Sequence, residues 1–255
     1  MRNALIICRK ELRSYFVSPV AYILLGLYAV IMGFLFWFFL GRFVFEGMEM
    51  QMRGQMFPMS LNEYVVRPIL SNVSVIGLFL IPLITMRLFA EEKRTGTIEL
   101  LVTSPVRDFD IVFGKWMAGF GFYICMLLLG ALNFIFLFKY GNPDWKPMLV
   151  QYLGLFLQAG AMVALGTFIS TLTKNQIVAA ALTFAACLML LLFGWLTAFE
   201  TATWANVLSY LSIFTHMESF ERGVIDSKDA IYYVTVIFLG LFFTARSMES
   251  LRWRS

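Results

Sequence analysis

The residues that could perform chemistry are few, and the densest group of charged side chains lies between Arg87 and Lys115. Glu91 and Glu92 begin like the glutamate pair of an intramembrane protease motif. However, the arginine expected four residues after the second glutamate is absent, and no histidine accompanies the pair. The chain contains no G-x-S-x-G, H-E-x-x-H or phosphate-binding loop sequence. The sequence therefore predicts no catalytic residue, and any ATP that powers this protein must be bound by another chain.

A metal site is equally disfavoured by the sequence. His216 is the single histidine, and although Glu218 and Glu221 follow it, one histidine supplies too few ligands for the usual sites. The three cysteines lie far apart and show no metal-binding spacing. We expect the cysteines to be small packing residues and His216 to cap the end of a helix.

The composition is that of a membrane protein. Hydrophobic residues make up 60% of the 255 residues and charged residues only 14%, whereas soluble domains carry about 25% charged residues. The net charge of +4 is modest for a nucleic-acid-binding protein, so no nucleic-acid partner is expected.

Charged residues divide the chain into six apolar segments, and a helix needs about 20 apolar residues to cross the hydrocarbon core. The segment before Arg246 has only 16 uncharged residues, so its helix must extend past that arginine. We predict an all-α polytopic membrane protein that forms a single membrane domain over residues 1–255. Its six transmembrane helices are predicted at about residues 20–40, 68–90, 112–138, 147–172, 176–198 and 229–247.

The distribution of lysine and arginine predicts the topology. With the N-terminus inside, 13 of the 20 basic residues lie on the inner side and 7 on the outer side. The positive-inside rule therefore places both termini in the cytoplasm.

Local signals mark several helix boundaries. Ser18-Pro19 and Ser104-Pro105 each read as an N-cap followed by proline in the first helical position, opening the first and third spans. Pro82 lies inside the second span and should kink it, because proline removes a backbone donor.

The predicted spans contain polar residues but no fully charged residue near their centres. Such polar side chains usually join neighbouring helices, and the absence of intramembrane charge disfavours a proton- or ion-coupled transporter. The polar residues are Asn133, Gln158, Thr167, Ser170 and Thr183.

Residues 1–17 carry apolar side chains at helical spacing and charged ones on the other side. The pattern predicts an amphipathic interfacial helix on the cytoplasmic membrane surface; the alternative is a charged flank that only orients the first span. The apolar positions are Leu5, Ile6, Cys8 or Arg9, Leu12 and Phe16, and the charged ones include Arg9, Lys10, Glu11 and Arg13.

A short helix is predicted over residues 95–104. Gly96 should end the preceding helix, Thr97 can cap the next one, and Glu99 lies favourably in its first turn. Two turns are not stable alone, so this helix must lean on the membrane, on the spans or on a cytosolic partner. Its apolar face would contain Ile98, Leu101 and Val102, and Pro105 would end it.

The segment 200–228 is too apolar for a simple water-exposed loop. Short external helices before the last span fit it better, provided that their backbone is buried in protein.

This order of segments resembles the membrane subunit of type-2 ABC exporters over essentially the whole chain. The loop matches the pattern Glu-x-x-x-x-Gly-Thr-x-Glu-x-Leu-x-x-x-Pro-Val between Glu91 and Val106. Residues 170–176 and the stretch from His216 to Asp226 are similar to the gliding-motility-type branch, and the permeases of nitrous-oxide reductase maturation are close alternatives.

The resemblance implies roles for particular residues. The short helix would be a coupling helix seated in a separate ATPase subunit, with Glu91 and Arg94 anchoring the second span to it. The implied ATPase-coupling residues are Glu91, Arg94, Gly96, Thr97, Ile98, Glu99, Leu100, Leu101, Val102 and Pro105, and the implied external gate contains Ile213, Phe214, His216 and Phe220.

The resemblance also implies partners. Two ATPase subunits would hold ATP and Mg²⁺, and a second permease copy or a related chain would complete twelve spans in a bacterial inner membrane. An auxiliary membrane protein with an extracytoplasmic domain is a further expectation. The expected function is ATP-driven export, and the alternative is a non-transporting scaffold that couples an ATPase to an extracytoplasmic machine.

Overall fold

The computed structural model describes residues 2–54, 60–103, 106–197 and 203–252, and no strand occurs among them. A π-helical turn (Asn62–Val66) leads directly into the third helix. The helices are α1 (Arg2–Val17), α2 (Pro19–Met52), α3 (Arg67–Thr85), α4 (Ala90–Thr95), α5 (Ile98–Val102), α6 (Asp108–Tyr140), α7 (Trp145–Leu172), α8 (Gln176–Thr197), α9 (Thr203–Leu211), α10 (Met217–Glu221) and α11 (Ser227–Arg252).

Six helical segments of the described chain are long and apolar enough to cross a membrane. They are α2, the run Asn62–Thr95, α6, α7, most of α8 and most of α11. This confirms the predicted all-α polytopic fold with six spans. Below, the end of the bundle that carries α1, α4 and α5 is called the α5 end, and the opposite end is called the α10 end.

The helix of the last span continues past Arg246, and this makes it long enough to cross the membrane despite its short apolar segment. Helix α11 has 26 residues, and Arg246 bonds to Glu249 at 2.6 Å on its exposed surface. At 1.5 Å per residue this helix is about 39 Å long, enough for a hydrocarbon core of about 30 Å.

Of the two predicted Ser-Pro helix starts, one is observed and the other lies outside the described residues. Ser18 caps α2, since its hydroxyl accepts from the amide of Val20 at 3.4 Å and Pro19 occupies the first helical position. Ser104-Pro105 lies outside the described residues, and α6 begins only at Asp108, with Arg107 in the capping position. The third span is therefore opened by Arg107 and Asp108.

The second span is interrupted a few residues after Pro82. Helix α3 continues through Pro82 to Thr85, and α4 starts at Ala90. Met86–Phe89, here called the interruption, contains turns instead of continuous helix. The backbone groups that the interruption frees need partners elsewhere.

Helix α7 lies at the centre of the bundle, packed against α3, α6, α8, α10 and α11. Small residues allow these approaches: a Cβ added to Gly240 of α11 would lie 2.9 Å from the Cβ of Ala164, and one added to Gly154 would lie 2.6 Å from Phe220. The bundle core is therefore built around one helix that is buried on most of its surface.

Of the five polar side chains expected to join neighbouring helices, two do so. Ser74 of α3 donates to Gln158 Oε1 of α7 at 2.8 Å, and Ser170 bonds to the interruption. The other three side chains, of Asn133, Thr167 and Thr183, donate to carbonyl oxygens of their own helices.

Candidate functional site

Helix α1 packs along α6 through a face that contains only part of the predicted apolar set, Cys8 and Leu12. Ala4, Cys8 and Tyr15 are buried, whereas Leu5 and Ile6 are exposed and free to contact lipid. The packed face is fixed by α6, because a Cβ added to Gly114 would lie 2.7 Å from the carbonyl oxygen of Ala4.

Tyr15 fixes the end of α1 to two spans. Its hydroxyl donates to the carbonyl oxygen of Ile84 at 2.6 Å, and its ring stacks on Phe122 with 5.2 Å between centroids. Burial raises the pKa of the Tyr15 hydroxyl well above its usual range, so it remains a donor. Of the predicted interfacial residues, Arg9, Lys10 and Arg13 are exposed, and Glu11 points inward.

The charge that Glu11 meets is the buried ammonium of Lys115. Lys115 is 1% exposed, and its Nζ lies 3.1 Å from Glu11 Oε1 and 2.8 Å from Glu92 Oε1. It also donates to the carbonyl oxygen of Leu88 at 2.7 Å and lies over the ring of Phe89. A buried charge is tolerated only when it is paired and hydrogen-bonded, and Lys115 meets both conditions.

Lys115 was not predicted as a site residue, since in the sequence it stands at the edge of a loop. A signal for it exists in the spacing along α6. Ile111 and Ala118 are buried, and Lys115 lies four residues after the first and three before the second. A lysine within the buried stripe of a helix needs partners in the protein interior.

Ser170 of α7 holds the interruption from the other side. Its hydroxyl accepts from the amides of Phe89 and Ala90, each at 3.1 Å, and donates to the carbonyl oxygen of Met86 at 3.3 Å. Lys93 donates to the carbonyl oxygen of Thr171. Thus α6 and α7 together fix the start of α4.

The two predicted anchoring residues of the second span point in different directions. Glu91 accepts from Arg87 at 3.2 Å, and Arg87 also donates to the hydroxyl of Ser18 at 3.3 Å. Arg94 is exposed. Glu91 therefore belongs to the contacts inside the chain, and Arg94 is available at the surface.

Helix α5 is separated from α4 by Gly96, whose φ of +74° ends α4 as predicted. Thr97 occupies the capping position of α5, but its hydroxyl lies 2.9 Å from that of Thr95 and makes no capping bond, so the predicted cap is wrong. The Thr97 hydroxyl pairs with the Thr95 hydroxyl instead of accepting from a backbone amide of α5.

The side chains of α5 divide into an inner and an outer set. Ile98 and Leu101 are partly buried against the core, and α5 lies against α11. Glu99 is exposed, and Leu100 is 73% exposed. Pro105 and the side chain of Val102 lie outside the described residues.

A cleft of about 430 Å³ opens between α1 and the α4–α5 segment. Lys10, Glu11, Glu92, Thr97 and Leu100 are among the residues that line it. Carboxylates and basic groups are interspersed here, and the exposed leucine adds an apolar surface. The α5 end thus presents a cleft with charges of both signs and an exposed leucine, a surface suited to binding another protein.

At the α10 end, His216 bonds a carbonyl oxygen in the last turn of α9, as expected of a side chain that caps a helix end, and it also bonds α11; it does not cap α10. Its Nδ1 lies 2.7 Å from Asp229 Oδ1 of α11, and its Nε2 lies 3.0 Å from the carbonyl oxygen of Tyr210 of α9. The ring stacks on Tyr232 at 3.9 Å. His216 therefore fastens α9 and the start of α10 to the last span.

The other predicted gate residues lie in the same region. Ile213 and Phe220 are buried, and Phe214 lines a cavity of about 320 Å³ between α3, α8 and α10. Glu221 borders this cavity, and burial raises the pKa of its carboxyl above its usual range. The described residues contain no group of three or more histidine, cysteine or acidic side chains placed to hold a metal ion.

The fold and the α5 end together define a polytopic membrane protein that exposes a short helix between its second and third spans. The family model for ABC-2 family transporter proteins matches residues 5–245, and the chain belongs to this family. It is therefore a membrane subunit of the ABC transporter class, not itself a catalyst. No curated protein matches the chain significantly.

Proposed function

We propose that this chain is a permease that couples ATP hydrolysis by a separate ATPase subunit to export across the bacterial inner membrane. The observation that carries the proposal is the orientation of α5. Its inner side chains, Ile98 and Leu101, attach it to the bundle, while Glu99 and Leu100 are exposed. An exposed leucine is suited to the apolar core of a protein interface, and a neighbouring carboxylate to its polar rim.

The attachment of α4 supports this function. Lys115 and Ser170 hold the start of α4 to α6 and α7, and Arg87 holds it to the start of α2. A force applied to α5 would therefore act on a segment that is already bonded to three spans. Packed and hydrogen-bonded networks of this kind carry coupling between distant sites.

The proposal includes the composition of the complex. Two ATPase subunits, each binding ATP with Mg²⁺, would act on two permease copies or on this chain and a related one, giving twelve spans. Both termini and the α5 end would lie in the cytoplasm, and α9 and α10 would form the outer gate. We place the chain in the gliding-motility-type or nitrous-oxide-reductase-maturation-type branch, in which an auxiliary membrane protein would join the complex.

Affinity purification of the tagged chain from its native host tests this function. We expect an ATPase subunit to be recovered with it, and Glu99→Arg or Leu100→Asp to lower the recovered ATPase at least about tenfold, as at interface hot spots. The matched control is Glu63→Arg, an exposed carboxylate before α3 at the α10 end.

Recovery of the wild-type chain without any ATPase would refute the proposal, and full recovery with both α5 variants would refute the role of α5. In reconstituted vesicles, a complex that hydrolyses ATP without moving solute would favour the scaffold function over export.

A further inference from the structure

Three elements with different surroundings meet at Lys115. The lysine belongs to α6, which spans the membrane, while its partners are Glu11 of α1, Glu92 of α4 and the carbonyl oxygen of Leu88 in the interruption. A movement of α4 that preserves these bonds also moves α1 and the adjoining end of α6.

The contact of α4 with α6 depends strongly on this lysine. Among the described residues, the backbone of α4 lies near α5, α7 and α8, and its contact with α6 is at most slight. Glu92 spans the gap with one oxygen, and its Oε2 is buried with no hydrogen-bond partner within the described chain. The position of Glu92 is therefore set by Lys115.

The attachment of α1 to α6, in contrast, does not need the charges. Gly114 and Tyr15 already provide close packing between the two helices. Buried ion clusters add little net stability, because the cost of removing the charges from water offsets their attraction. A role other than stability therefore accounts better for a lysine at this position.

We propose that Lys115 is a positioning residue of the coupling step. It holds α4 to α6 and α1 so that a displacement of α5 by the ATPase subunit reaches the membrane-spanning helices. This inference rests on the proposed function. It predicts that neutralising the cluster uncouples the spans from ATP while the complex still assembles.

The test uses the complex of permease and ATPase purified from the native host. Spin labels are attached at Asn142→Cys and Lys228→Cys at the α10 end, in a chain without native cysteines. The distance between the labels is measured by pulsed electron paramagnetic resonance with and without ATP and orthovanadate. The key variant neutralises the cluster through Lys115→Met, Glu11→Gln and Glu92→Gln together. This leaves no buried charge unpaired, and Lys10, which loses its 3.6 Å contact with Glu11, is exposed to water.

We expect the neutral variant to bind the ATPase normally and to keep its unfolding midpoint within about 3 °C. Its ATP-dependent change in label distance should fall at least about fivefold, whereas Lys115→Arg, which keeps the charge, should retain more than about half of it. The control neutralises the exposed pair of α2 through Arg42→Gln and Glu46→Gln and should respond like the wild type.

A full distance change in the neutral variant would overturn the inference, as would Lys115→Arg responding no better than the neutral variant. Loss of the folded state in the neutral variant would also overturn it, because the cluster would then be structural. If the wild-type chain binds no ATPase, the proposed function itself fails, and this outcome is distinct from the others.

Discussion

At the scale of residues, the hydroxyl of Ser170 in α7 accepts hydrogen bonds from backbone amides of a different span, the second. The interruption leaves the amides of Phe89 and Ala90 without helical partners, and Ser170 accepts from both. A buried amide without a partner carries the full cost of its removal from water. Ser170 therefore contributes more than a threonine that bonds within its own helix.

Replacing Ser170 by alanine should lower the free energy of unfolding by about 1–3 kcal/mol, because two buried amides lose their acceptor. The measurement is thermal or denaturant unfolding of the purified chain in detergent. Thr167→Val is the matched control on the same helix, since the Thr167 hydroxyl donates only to the carbonyl oxygen of Val163. Equal stability of the two variants would show that the interruption does not depend on Ser170.

Residue-scale roles could be predicted only where they depend on near neighbours. Ser18 and Gly96 act within their own turns, and both were predicted. The bond between Lys115 and Glu11 joins residues 104 positions apart, and a threonine inside a span can bond to its own helix or to another. Such choices depend on which helices become neighbours, and a single sequence does not contain that information.

At the scale of elements, α1 is both a surface helix and a part of the bundle. Its spacing predicted amphipathicity, but the face that packs is set by the small residue of α6 at Gly114. Two apolar stripes therefore exist on α1, one against α6 and one containing the exposed Leu5 and Ile6. Hydrophobic periodicity alone cannot distinguish a stripe that meets lipid from one that meets protein.

Gly114→Ala should loosen α1, because the added methyl group would overlap the backbone of α1 near Ala4. We expect faster tryptic cleavage after Arg9 and Arg13, followed by mass spectrometry, with the rest of the bundle intact. Gly121→Ala is the control, since its Cβ would make only ordinary contacts of 3.8 Å with Leu12. Unchanged cleavage in Gly114→Ala would contradict the close packing of α1.

At the scale of the whole molecule, six spans are predictable because a run of apolar residues is a property of the sequence itself. The number of spans and the helical class were therefore predicted correctly. The orientation of the bundle in the membrane is predicted from the lysines and arginines between the spans, which favour a cytoplasmic α5 end.

Labelling of intact cells with a membrane-impermeant maleimide tests this direction. In a chain with Cys8, Cys125 and Cys187 replaced by alanine, we expect Asn142→Cys to react from outside. Lys174→Cys, at the other end of α7, should react only after the cells are permeabilised, because the positive-inside rule predicts a cytoplasmic position for it. The reverse pattern would place both termini outside.

The interruption of the second span also constrains the order of biosynthesis. Phe89 and Ala90 leave the ribosome about eighty residues before Ser170, the acceptor for their amides. Until α7 has entered the membrane beside them, these amides must be satisfied by water or lipid headgroups. The second span can thus cross the bilayer early, but the bonds that hold the interruption and the start of α4 form only after α7 has entered the membrane.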